Sequence, residues 1–114
     1  HDSHNIIAVG VDDRSIRLAV NRLAWIGGGQ VVVDGDEVLA ELPLPIAGLM
    51  SDQMAGVVAR AEEELIVVAH SLGSQLNDPF MTLSFLALPV IPELKLTDKG
   101  LVDVNLFEPT SLYV

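Results

Sequence analysis

His1, Asp2, Ser3, His4 and Asn5 place two imidazoles, a carboxylate, a hydroxyl and a carboxamide side by side. An imidazole titrates close to neutrality, and a neighbouring carboxylate fixes its tautomer and raises its basicity, which is how a general acid–base is oriented. The apolar run at residues 6–10 reads as a short buried strand. Extended backwards, that strand alternates its side chains, so Asp2 and His4 share one face while Ser3 and Asn5 share the other. His1 and His4 then point to opposite sides, and the spacing does not favour both on one metal. Asp2 beside His4 is the pair suited to moving protons. The plainer alternative is a polar strand end, solvated or hydrogen-bonded to a loop, since short His/Asp clusters are unspecific.

Other residue types offer less. His70 has no carboxylate three or four positions downstream and reads as a surface histidine. Gly27, Gly28 and Gly29 follow a helix instead of preceding one and lack the G-x-G-x-x-G spacing, so they do not make a phosphate cradle. Glu62, Glu63 and Glu64 lie mid-helix as a solvated face. Asp34, Asp36 and Glu37 cluster where acidic turn residues are expected. Trp25 and the three Phe are too scattered for a base-stacking platform. No nucleophile elbow is present.

The elements that must position these groups follow from hydropathy patterning. Of 114 residues, 50% are hydrophobic and 19% charged, enough for one packed domain and too apolar for disorder. Mean hydropathy is +0.46, yet no stretch approaches the ~18 continuous apolar residues of a membrane span. The surplus apolar surface is expected to meet more protein. A formal charge of −10 with no Lys/Arg cluster argues against nucleic acid. The lack of Cys excludes a disulfide framework and thiolate metal sites, and is compatible with the cytoplasm. A chain opening on His instead of Met is read here as one domain, residues 1–114, of a larger protein.

Asp12 and Asp13 offer N-caps for a helix with apolar positions Ile16, Ala19, Val20, Leu23 and Ile26, stopped by the glycines. Asp34-Gly35 is a hairpin signal. The Pro-punctuated segment 42–52 is a loop, after which Ser51 is expected to cap a long helix with Asp52 in its first turn. Its inner stripe is Met54, Val57, Val58, Ala61, Leu65, Val68, Ala69 and Leu72, with Ile66 and Val67 partly off it. Asp78 and Pro79 start a short helix, and Asp98-Lys99-Gly100 turns between two strand-like runs. The pattern predicts an α+β two-layer sandwich. Its mixed sheet of about four to five strands (near 6–10, 30–34, 37–42 and part of 94–105) is covered by two main helices near 13–26 and 52–72.

The segments "HDSHNI", "AVNRL…GGGQVVVDG", "LAELPLPIAGLMSD" and "DPFMTLSFLALPVIPELKLTDKGLVDV" together resemble the C-terminal domain of bacterial adenine deaminase, an enzyme of the amidohydrolase superfamily. The resemblance spans nearly the whole chain in order, and departs from the family around 53–75 and over "FEPTSLYV". It implies hydrolysis of adenine to hypoxanthine and ammonia on a (β/α)₈ barrel. That barrel would hold divalent metal ions (manganese, iron or zinc). This chain has no H-x-H pair and too few residues for eight strand–helix units, so it is expected to be inactive alone and to hold no metal.

Ligands often bind where two domains meet. The resemblance therefore implies that the opening cluster reaches the adenine pocket, with Asp2 and His4 catalytic and His1, Ser3 and Asn5 substrate-binding. Ser51 and Asp52 on the Pro-rich loop are weaker candidates for the same interface. The expected partners are adenine, the barrel of the same polypeptide and further copies in a homo-oligomer; neither nucleic acid nor membrane is expected. A rival reading makes the chain a non-catalytic assembly module.

Overall fold

A computed structural model describes residues 4–113. His1, Asp2 and Ser3 lie outside the described residues, so the expected placement of Asp2 beside His4 does too. Helix α1 (Asp13–Ile26) starts at Asp12, whose carboxylate accepts from the Ser15 N–H and from Ser15 Oγ, both at 2.9 Å. Those hydrogen bonds hold the Asp12 carboxyl below its ordinary range. Gly27, at φ 81, ends the helix in the left-handed region that suits glycine.

Strands β1 (Gly29–Asp34) and β2 (Glu37–Pro43) then form an antiparallel hairpin turning at Gly35, where φ is 56. Alternation along β1 and β2 sets Val32, Ala40 and Leu42 on the face covered by α2 (Ala55–Ser71). Leu65 of α2 is fully buried against them, and Leu44, Val58, Ala61, Val68, Ala69 and Phe80 complete the cluster. Burying one such Leu contributes roughly 1.5–3 kcal/mol. The expected stripe of α2 is therefore correct at its centre; Met54, Val57 and Leu72 at its ends are exposed.

The C-terminal lobe comprises α3 (Pro79–Phe85), β3 (Leu94–Thr97), β4 (Gly100–Asp103) and the two-residue β5 (Glu108–Pro109). Asp78 caps α3 through the Met81 N–H at 2.8 Å, with Pro79 at its first position. The β3–β4 turn falls at Asp98-Lys99, and β5 adds antiparallel to β4. Ala87, Lys95 and Val104 are the buried residues here.

The α+β architecture is as expected, and five strands form among the described residues. They are divided between two antiparallel sheets, β1-β2 and β3-β4-β5, where one mixed sheet was expected. The missing member is the strand at 6–10. That segment has no ladder partner among the described residues, Val9 and Val11 are exposed, and His4 stands at φ 51, outside the extended region. A β-branched run makes a strand only where a neighbour accepts its backbone hydrogen bonds. A second correction concerns Ser51. Helix α2 begins three residues beyond the expected point with Met54 as its cap residue. Ser51 Oγ instead accepts from the Gln53 N–H at 3.1 Å, closing a turn of its own.

Candidate functional site

Three glycines determine where the Pro-rich loop runs. A Cβ on Gly28 would fall 2.5 Å from the Gly48 Cα, and one on Gly29 would fall 2.1 Å from the Leu42 carbonyl oxygen. Only glycine permits that approach. The loop is held there by the Leu44 N–H donating to the Gly28 carbonyl at 2.9 Å, and Ile46 pairs with Met50 across its tip. The glycine run thus has a second use beyond stopping α1, one that spacing alone could not reveal because Gly48 lies 20 positions away.

Held in this way, the loop closes one side of a cleft of about 350 Å³ between β2 and the start of α2. Leu42, Pro43, Pro45, Val57, Val58 and Ala61 make apolar walls, while Glu41, Ser51, Asp52 and Gln53 supply polar atoms. The Gln53 carboxamide donates to Asp52 at 2.9 Å, which orients both groups. Glu41 is held by Arg22 of α1, whose Nε and Nη2 donate to its two carboxylate oxygens at 2.5 and 2.6 Å. This bidentate pairing keeps the Glu41 carboxyl below its ordinary value and the Arg22 guanidinium above its own. Arg22 also lies 4.3 Å from the centre of the Trp25 ring. Sequence reasoning missed Glu41 and Gln53; alternation places Glu41 opposite Leu42, but nothing in spacing connects it to Arg22.

The cleft offers hydrogen-bond acceptors and one carboxamide, with its nearest guanidinium already engaged. Among the described residues no three His, Cys, Asp or Glu converge in a way that could hold a metal ion.

Of the opening cluster, only His4 and Asn5 are described, and both are exposed. His70 is exposed, its Nε2 2.7 Å from the Leu76 carbonyl oxygen. Glu62, Glu63 and Glu64 face solvent, and Asp36 at the hairpin tip pairs with Arg14.

Comparison with known proteins decides the family. The profile described as the adenine deaminase C-terminal domain matches residues 1–108. The chain belongs to this family. An adenine deaminase of Desulfatibacillum aliphaticivorans is 59% identical over 99% of this chain and 20% of its own length. One from Methanothrix thermoacetophila is 57% identical over 100% of this chain and 20% of its own. One from Archaeoglobus fulgidus is 57% identical over 98% and 20%. As a member of the adenine deaminase C-terminal domain family, the chain spans about a fifth of the length of the curated relatives it matches. Among the described residues no helix is long and apolar enough to cross a membrane.

Proposed function

We propose that this chain serves as the C-terminal domain of an adenine deaminase, flanking a barrel that hydrolyses adenine to hypoxanthine and ammonia. The family match over residues 1–108, with relatives of 57–59% identity that carry that name, is the observation that supports the reading. The divalent ions of such a reaction (manganese, iron or zinc) would belong to the barrel outside residues 1–114, where they would supply an activated water.

This chain's own share is proton handling and substrate positioning. Asp2 orients the His4 imidazole, and His4 moves a proton at the departing amino group. His1, Ser3 and Asn5 bind the purine. The cytoplasmic setting and homo-oligomeric state expected from the sequence go with the same reading.

The test is kinetic. In the full-length protein, Asp2→Asn and His4→Gln each lower kcat by ~10²-fold or more with fold and metal content retained. Glu63→Gln on the solvated face of α2 leaves kcat unchanged. If both cluster variants keep full turnover, the domain serves assembly alone.

A further inference from the structure

The C-terminal lobe carries a groove between α3 and β3 of about 460 Å³, lined by Thr82, Phe85, Leu86, Ile91 and Lys95. Its apolar walls are uncovered: Phe85 is 45% exposed, Leu86 52% and Ile91 37%. At the foot of these walls lies Lys95, only 9% exposed. Its Nζ donates to the Pro92 and Leu94 carbonyl oxygens, each at 3.1 Å. An ammonium has three N–H donors, so two carbonyls leave one in use by nothing in the described residues. Among those residues no carboxylate pairs with Lys95, whereas Arg14 meets Asp36 and Arg22 meets Glu41. A cation taken out of water calls for an anionic partner.

The length of the relatives points to what fills the groove. The relatives are about five times as long as this chain, so most of their polypeptide lies outside the matched part. We propose that the Phe85–Leu86–Ile91–Lys95 groove docks an apolar segment from outside residues 1–114 of the same polypeptide, and that an Asp or Glu of that segment pairs with Lys95 Nζ. The proposal rests on the chain being a domain of a longer deaminase.

In the full-length protein, Phe85 is replaced by the photoreactive residue p-benzoylphenylalanine and the product is irradiated and mapped by mass spectrometry. The expected result is a cross-link within one polypeptide to an Asp- or Glu-containing peptide outside residues 1–114. Cross-links confined to residues 1–114, or joining heavy- and light-isotope copies in a mixture, overturn the proposal. In parallel, Lys95→Glu is expected to speed proteolytic release of the domain at least 10-fold, Lys95→Met to speed it less, and Lys99→Glu on the exposed turn to leave it unchanged. Equal release of Lys95→Met and wild type overturns the ion pair even if Lys95→Glu fails to fold. Absence of adenine turnover in the wild-type protein would sink the functional reading without altering what the cross-link reports.

Discussion

The two parts of this molecule solve the same burial problem to different extents. In the first, β1, β2 and α2, with Phe80 of α3 packed against them, enclose a shared cluster in which Leu65 has no exposure at all. In the second, α3 and β3–β5 bury Ala87, Val104 and Lys95 but leave Leu94 at 52%, Leu96 at 62% and Phe107 at 81%. Large apolar side chains exposed to this extent call for a cover. The difference teaches that the first part has a closed centre even though Trp25 and Val67 on it stay 75% and 65% exposed, whereas the second has only scattered buried residues.

The sharpest way to break this contrast is to attack the first part where backbone meets backbone. Gly29→Ala is expected to cost about 3 kcal/mol or more, combining a backbone region reserved for glycine with direct overlap on the Leu42 carbonyl. Gly35→Ala, with open space around it, is expected to cost about 1–2 kcal/mol. Urea unfolding of the two variants checks the order. Leu65→Ala is expected to cost about 2–5 kcal/mol, while Leu94→Ala on the open lobe of the same chain stays below about 1 kcal/mol. Equal costs would mean that the lobe is as well packed as the body.

A smaller effect probes the start of the lobe. Asp78→Ala removes the cap of α3 and is expected to cost about 1 kcal/mol, seen as faster amide exchange over residues 79–85. The smallest is electrostatic. Because Arg22 depresses the folded-state value of Glu41, the pair's contribution is complete above the ordinary carboxyl value of 4.5 and is lost as pH falls below it. Glu41→Gln is therefore expected to flatten the decline of stability below pH 4.5. A decline identical to wild type would remove the ion pair from the account.

Much of the fold was legible where a local rule decides the outcome. Asp12 and Gly27 bound α1, Asp34-Gly35 turns the hairpin, and Asp78-Pro79 starts α3, each where its side-chain or backbone chemistry requires. The segment at 6–10 was misread because a β-branched run signals strand propensity, whereas a strand also needs a partner that the sequence does not name. Ser51 was misread because the hydroxyl that caps a helix also closes a turn, and only the position of Gln53 distinguishes them. The cleft formed by Glu41, Ser51, Asp52 and Gln53 was half visible, through Ser51 and Asp52 alone. Its other half depends on Gly28 meeting Gly48, a long-range contact with no periodic signature.

That contact has an engineering consequence. With no side chain intervening, the path between Gly28 and Gly48 is set by the number of residues it contains, so inserting or deleting one would displace the Ser51–Gln53 turn while leaving its chemistry intact. Anyone transplanting the cleft onto another scaffold would need residues 27–61 as a single uninterrupted block, hairpin tip included.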